Sequence, residues 1–443
     1  MKIENFEATG LEKLAKWLQA NNINSLSEPD LRELLKTVNI SFVMEELNRL
    51  QSTLVCELKD SYVQQSQRYV TVTDQGYVLP QLEATDRLNA ENLIKRTLAL
   101  YQQMSQMKQG EFKGRPKLEN YEYGIPIEDA RYILPLAVKT NVCVALAGDK
   151  LIDFVNLLNK PDYRLIFADL LGQLLKLLPS SIAELVQQHY QQVDNNLVGQ
   201  YYAAYLQLLS PENNLILLET FSDLDMKVGF GALTSTMQQP PSAAITRWGA
   251  EAPQKAQGVV ERVLSYGHDS IAEQARVTVG MMCSLVTYHQ QLRHRLTANY
   301  REPLESLVTD LQRAVKIPST IATSPFAEEF LQLVAEIKTF RAQLLQKYDK
   351  ATALFFLLNC EQLKIVMSTN ARADISMLAD RTCRNAQWEI RELAIKKLIC
   401  LRKLSPVLYE KALPSCVWGK CREGKLTCGQ QLQVREQFSK LLD

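Results

Sequence analysis

The stretch QLRHRLTANYREPLES, residues 291–306, sets Arg293, His294 and Arg295 side by side. Guanidinium groups read phosphate oxygens in pairs, and an imidazole between them can donate or accept a proton, so the triplet suits an anionic ligand. Three of the chain's four histidines, His268, His289 and His294, fall in this neighbourhood. Alone, an Arg-His-Arg run is most often an exposed helical face. The Gly267-His268 pair upstream, with Ser270 and Glu273 behind it, makes the spacing informative. His289 reads as a packing residue. A late trio, Cys416, Cys421 and Cys428, does not match the paired knuckles of zinc sites and has no histidine nearby, so no metal centre is expected.

These groups must be carried by helices above all. LEKLAKWLQAN, LIKRTLALYQQM, IAELVQQHYQQV, FLQLVAEIKTFRAQLLQKY and EIRELAIKKLICLRKL all repeat apolar residues at helical spacing, while RYVTVT and LKIVMST read as strands. Asn385 reads as the cap of the helix that follows it. SPENN, residues 210–214, is a turn, and the order of elements on either side is similar. A duplicated domain follows, with copies at 1–213 and 214–443.

Composition narrows the partners. Across 443 residues, 50 basic side chains almost cancel 49 acidic ones, which leaves no bulk field to draw nucleic acid or a membrane surface. No run is apolar enough to span a bilayer, and MKIENFEATG resembles neither a secretory nor a transit peptide. Nine cysteines, an odd number, suit reduced thiols. The expected location is the cytoplasm.

SYGHDSIAEQARVTVGMMCSLVTYHQQLRHR resembles the flavin-dependent thymidylate synthases, in which Gly-His-x-Ser/Thr precedes Arg-His-Arg at the distance from His268 to Arg293. The family signature continues as RHRxxSxxxxSxRY, but here Ala298, Pro303, Glu305 and Ser306 stand at its Ser, Ser, Arg and Tyr. CELKDSYVQQSQRYV in the first half has the opposite pattern: Cys56, Glu57 and Leu58 replace the triplet, whereas Ser61, Ser66, Arg68 and Tyr69 keep the family spacing. PIEDARYILP places Arg131 where the family has a dUMP-contacting arginine, and the second half has Leu354 there. The second half alone keeps Asn370, Arg372 and, in RTCRNAQWEIREL, Arg381.

The resemblance implies an α+β fold: two tandem copies of a helix-rich domain, each with a small sheet. It implies reductive methylation of dUMP to dTMP, with FAD as cofactor and methylenetetrahydrofolate and NADPH as co-substrates. His268, Ser270, Glu273, Arg293, His294, Arg295, Asn370, Arg372 and Ser376 form the implied flavin set. Gln64, Gln65, Ser66, Arg68, Arg131, Gln290 and Arg381 form the implied dUMP set. Ser66, Arg131 and His268 fall nearest the reacting atoms: Arg131 beside a uracil carbonyl, His268 beside the flavin ring and folate, and Ser66 in a binding role, since no base to activate it is visible. Each copy has shed what the other retains, so the active site is expected to be composite, in a homodimer that mimics a tetramer. A non-catalytic flavin- or nucleotide-binding relative is the alternative, motivated by the degenerate YREPLES and CELK. Random decay would not spare opposite members in the two copies.

Overall fold

The computed structural model describes residues 1–68, 70–73, 75–106, 125–190 and 197–442, so Tyr69 lies outside the described residues. In chain order the first half contains β1 (Lys2–Thr9), β2 (Asn39–Asn48), α1 (Arg49–Cys56), β3 (Ser61–Gln64), α2 (Ala84–Gln106) and β4 (Lys139–Ala147). The second contains β5 (Leu215–Thr220), β6 (Arg276–Ser284), α3 (Leu285–Gln291), β7 (Ala298–Arg301), α4 (Ala327–Leu344), β8 (Gln362–Asn370), α5 (Ala371–Arg381) and α6 (Trp388–Leu404). Two four-stranded antiparallel sheets result, with matching orders β1-β2-β4-β3 and β5-β6-β8-β7.

The registers match as well. Asn39 faces Ala147 as Arg276 faces Asn370, and Ser61 faces Ala145 as Ala298 faces Ser368. Alternation explains the one-sided core of β2, whose Ile40, Phe42 and Met44 are buried between more exposed neighbours. One departure matters: the β2 to β4 ladder shifts between Met44 and Leu47, with Glu46 at φ 57°, whereas β6 to β8 runs unbroken. A bulge adds one residue to one strand of a pair. Asn48 and Ser284, which cap α1 and α3, stand at equivalent ladder positions, and Ser61 and Ala298, which open β3 and β7, do so beyond the helices. The stretch from cap to strand is one residue shorter in the first copy, which offsets the bulged residue, so counting back from β3 and β7 sets Cys56, Glu57 and Leu58 against Arg293, His294 and Arg295.

The chain forms two compact units. The first joins the described residues of 1–190 with 303–361, and the second joins 197–302 with 362–442. The unit is therefore a different partition from the sequence repeat: residues 303–361 belong by sequence to the second copy and in space to the first unit.

In the first unit, α2 packs on α4, whose Phe330, Leu333, Val334, Ile337, Phe340 and Leu344 form a buried helical stripe. The segment after Arg131 pairs with the segment before Glu361: Leu136 N–H donates to the Leu357 carbonyl at 2.8 Å and Asn359 N–H to the Leu134 carbonyl at 2.9 Å. Arg341 and Glu361, both fully buried, close this layer with two bonds of 2.6 and 2.8 Å.

In the second unit, α5 and α6 pack through Ala371, Leu378, Leu398 and Leu401, with Val434 and Phe438 in the same cluster. Lys397 spans α6 to α5, donating to Asp374 at 2.6 Å and to Thr369 at 3.2 Å, with Lys397 2% exposed and Asp374 fully buried. Among the described residues no helix is long and apolar enough to cross a membrane.

Two local expectations are corrected. LKIVMST lies in β8, but the described residues of RYVTVT, Arg68 and 70–73, are not strand: Val70 N–H donates to the Ser66 carbonyl at 3.0 Å, which closes a turn, and the strand of this region is β3. The cap of α6 is Gln387, which accepts from Ile390 N–H at 3.3 Å. Asn385 is drawn elsewhere, donating to Glu423 at 3.1 Å and to the Leu426 carbonyl at 2.7 Å. Long-range bonds outcompeted local capping there.

Candidate active site

Beyond β3 the chain in the first unit turns from Gln64 to Arg68. Gln64 donates to the Ser52 carbonyl at 3.3 Å, and Gln65 is held by Asn141 through its backbone at 2.9 Å and its side chain at 3.2 Å. Ser66 Oγ accepts Arg68 N–H at 3.2 Å, a hydroxyl-stabilised turn. No hydrogen bond joins Ser66 to a histidine or carboxylate among the described residues, which fits a binding role better than a nucleophilic one.

The turn buries Arg68 to 7% exposure, and its Nε donates to Glu128 Oε2 at 2.5 Å. Glu128 and Asp129 sit on the helical turn Ile127–Ala130, which begins after Pro126 and leads into Arg131. Proline before a helical turn presets the backbone and needs no donor. Arg131 is 4% exposed; its Nε donates to the Glu128 carbonyl at 3.0 Å. Its Nη2 is buried with no hydrogen-bond partner among the described residues, and so is Gln67 Nε2. Burial pushes the Arg131 guanidinium down to about 10, and the neighbouring Arg68 charge adds to this against Glu128. Tyr101 of α2 lies near enough to feel the Arg131 charge; burial raises its hydroxyl to about 12.

An unpaired buried donor costs about 1–3 kcal/mol. Two such donors, on Arg131 and on Gln67 next to Arg68, call for acceptor oxygens. A nucleotide carries them on its phosphate and its carbonyls.

The second unit builds a different site. Ser284 caps α3, and buried Glu389 of α6 accepts from Ser284 N–H at 2.8 Å, Ser284 Oγ at 2.5 Å and Thr287 Oγ1 at 2.8 Å. Three donors on one buried carboxylate satisfy its charge and fix where α3 begins. The chain leaves α3 with Arg293 and Arg295 exposed and His294 half-buried. Arg381, the last residue of α5, donates from Nε to His294 Nε2 at 2.7 Å and from Nη2 to the Gln290 carbonyl at 3.4 Å. The imidazole therefore keeps a lone pair on Nε2 and its proton on Nδ1.

At the other end of α5, Asn370 caps the helix by accepting Ala373 N–H at 2.8 Å, and exposed Arg372 donates to exposed Glu273 at 2.6 Å. Glu273 and Ser270 lie on the single-turn segment Asp269–Gln274, which starts after His268. Gly267 at φ 79° permits that reversal. His268, Ser270 and Ser376 are exposed. His289 is 3% exposed, in keeping with packing.

The structure thus gathers Gln64, Gln65, Ser66, Arg68 and Arg131 in the first unit. It places the rest of the expected dUMP set, Gln290 and Arg381, in the second unit against His294 of the flavin set. Sequence reasoning missed Glu128, Tyr101, Gln67 and Glu389. The Glu128-Asp129-x-Arg131 string carried a signal, because paired acids beside an arginine invite burial as ion pairs. Glu389 carried none, since it reads as an ordinary residue of a helical first turn.

Cys383 is brought to the segment of the late cysteines by Arg384, which donates to Gln430, and burial raises its thiol to about 11. All nine cysteines are free. Among the described residues, no group of three or more His, Cys, Asp or Glu side chains could hold a metal ion.

Matched antiparallel sheets, each followed by a capped helix, with buried arginines in one unit and an exposed Arg-His-Arg in the other, define a tandem α+β protein suited to anionic ligands. The family model described as "Thymidylate synthase complementing protein" matches residues 6–180 and again 217–407, and the chain belongs to that family as a tandem duplication. The chain is similar to the flavin-dependent thymidylate synthase of Geobacter sulfurreducens, at 32% identity over 189 residues, covering 41% of this chain and 80% of that protein. The namesake from Thermococcus kodakarensis is 36% identical over 176 residues, 37% of this chain and 72% of that protein. The one from Pyrococcus horikoshii is 33% identical over 214 residues, 44% of this chain and 88% of that protein. Each of these relatives corresponds to less than half of this chain, as a duplication requires.

Proposed function

We propose that this chain is a flavin-dependent thymidylate synthase of the cytoplasm that converts dUMP to dTMP, with each active centre drawing its substrate loop from a first copy and its flavin motif from a second. The observation that carries the reading is complementary retention: Arg68 and Arg131 persist where the triplet is lost, and Arg293-His294-Arg295 persists where the loop is lost. A homodimer would then offer two centres in place of the four of a tetramer of single copies.

The donors fit the groups they would hold. The unpaired Arg131 Nη2 and Gln67 Nε2 suit dUMP oxygens. Exposed Arg293, Arg295 and Arg372 suit the diphosphate of FAD, with Asn370, Ser270, Ser376, Glu273 and His294 around them. Bound and reduced FAD supplies the hydride that turns the transferred one-carbon unit into a methyl group. Methylenetetrahydrofolate gives that unit, and NADPH restores the reduced cofactor. Arg68, with Ser66, Gln64 and Gln65 shaping its loop, holds the nucleotide. Arg131 offsets negative charge on a uracil carbonyl as C5 gains its new bond; its pKa of about 10 keeps it cationic at neutral pH. His268 orients the folate, and Gln290 and Arg381 fix His294.

The test is spectroscopic. The purified protein should be yellow, be bleached by NADPH, and be reoxidised with formation of dTMP only when dUMP and methylenetetrahydrofolate are both present. A yellow protein that binds dUMP without turnover would support a binding relative instead. Mixing inactive Arg68→Ala and Arg293→Ala chains should restore activity if the halves meet across subunits.

A further inference from the structure

Among the described residues Arg131 has one side-chain bond, to the Glu128 carbonyl, and an unpaired Nη2. Where this guanidinium can reach depends on where the backbone that carries it is held. That backbone is gripped from residues 303–361, which come from the second copy of the sequence and fold into the first unit. Thr320, on the helical turn Ser319–Ala322 that follows Pro318, donates from Oγ1 to Asp129 Oδ2 at 2.7 Å. Asn359, fully buried, donates from Nδ2 to the Arg131 carbonyl at 3.0 Å, while its own N–H donates to the Leu134 carbonyl at 2.9 Å. Asn359 is itself fixed by its neighbours: Glu361 accepts Leu358 N–H at 2.9 Å and is locked by Arg341.

We infer that Thr320 and Asn359 are positioning residues for Arg131, so that the second copy, besides its flavin motif, supplies the support of the nucleotide site. Counted from Lys139 and Gln362, the first residues of β4 and β8, the first-copy equivalent of Asn359 is Leu136, which has no side-chain donor. The support therefore runs one way, towards the copy that kept its arginine. A carbonyl held by a buried amide cannot rotate without losing that bond, and a carboxylate held by a hydroxyl pins the preceding turn. Neither residue needs to touch substrate.

The inference rests on Arg131 contacting dUMP, and the experiment separates the two claims. Calorimetric dUMP binding and steady-state kinetics would be measured on the full flavin-loaded chain with Thr320→Val, Thr320→Ser, Asn359→Asp and Arg131→Leu. Thr320→Val keeps shape and loses the donor; Asn359→Asp keeps shape and turns the donor into an acceptor. Each should weaken dUMP binding about three- to tenfold, in line with loss of one charge-assisted or buried bond felt indirectly. The rise in KM should exceed any fall in kcat, flavin content should hold, and Thr320→Ser should restore binding. If Arg131→Leu abolishes dUMP binding while Thr320→Val and Asn359→Asp leave it unchanged, the inference fails alone. Equal loss of dUMP binding, flavin content and melting temperature in both variants would also overturn it, as a structural role only. If the wild-type chain does not bind dUMP, the proposed function fails and takes the inference with it.

Discussion

Arg131 and Leu354 occupy the same place in the two copies, each eight residues before the first residue of β4 or β8: Arg131 just after a helical turn and Leu354 as the last residue of one. Both are buried, at 4% and 0% exposure. One is a cation with an unmatched donor, and the other is an ordinary core residue. The places at the end of α1 and just after α3 differ in the opposite sense: Cys56, Glu57 and Leu58 in one copy, Arg293, His294 and Arg295 in the other. Under the proposed function, a position that no longer meets a ligand reverts to what its surroundings favour, because an unpaired buried polar group is costly. A position that still meets one tolerates that cost.

The largest expected effects fall on the supports, which are of the same kind in both units. Arg341→Met would leave Glu361 buried without its partner, and Lys397→Met would do so to Asp374; each should cost about 3–5 kcal/mol in denaturant unfolding. A value below 1 kcal/mol for either would mean that the pair is not buried in solution.

Arg131→Leu, which makes the first copy match the second, should lower kcat/KM for dUMP by about a hundred- to a thousandfold. It should change the melting temperature little, since the loss of one bond to the Glu128 carbonyl is offset by removal of an unpaired buried donor. A clear loss of stability would show that Arg131 is structural and that the comparison with Leu354 is misdrawn.

Arg293→Ala should weaken FAD binding about ten- to a hundredfold, with dUMP binding retained, as judged by flavin fluorescence and calorimetry. An effect on dUMP alone would reverse the assignment of the two copies.

The smallest effect concerns Lys59, in the turn between α1 and β3. Burial lowers its amine from 10.5 to about 8. Between those values the unfolded chain binds more protons than the folded one, so this group makes stability rise with pH from about 8 to 10.5, and its full cost is present below pH 8. Lys59→Leu should raise the melting temperature at pH 7 more than at pH 10.5. Equal shifts at both would mean that the Lys59 amine is solvated in the folded chain.

Much of this was legible in order of residues. The helical stretches carried their period locally, and Gly267-His268 with Arg293-His294-Arg295 carried a spacing that few structural roles would need. The complement at Ser66, Arg68 and Arg131 was readable for the same reason. RYVTVT misled because β-branched residues mark a strand only if a partner strand is available, and here the chain closes a turn at Ser66 instead. Asn385 misled because a residue able to cap a helix was recruited by Glu423 and Leu426. The bulge at Glu46 left no local mark in the sequence, and neither did the one-residue-shorter stretch from Asn48 to Ser61 that offsets it.

Duplication, family and the chemical type of each retained group were determined by sequence alone, because motif spacing and helical period are properties of neighbouring residues. Which charges are buried, and by what, was decided in three dimensions. Glu128 meets Arg68, Glu389 meets Ser284, and Asn359 of the second copy reaches the carbonyl of Arg131 in the first. The burial of a charge and the pairing that makes it tolerable depend on segments far apart along the chain, and only the packed fold brings them within hydrogen-bonding distance.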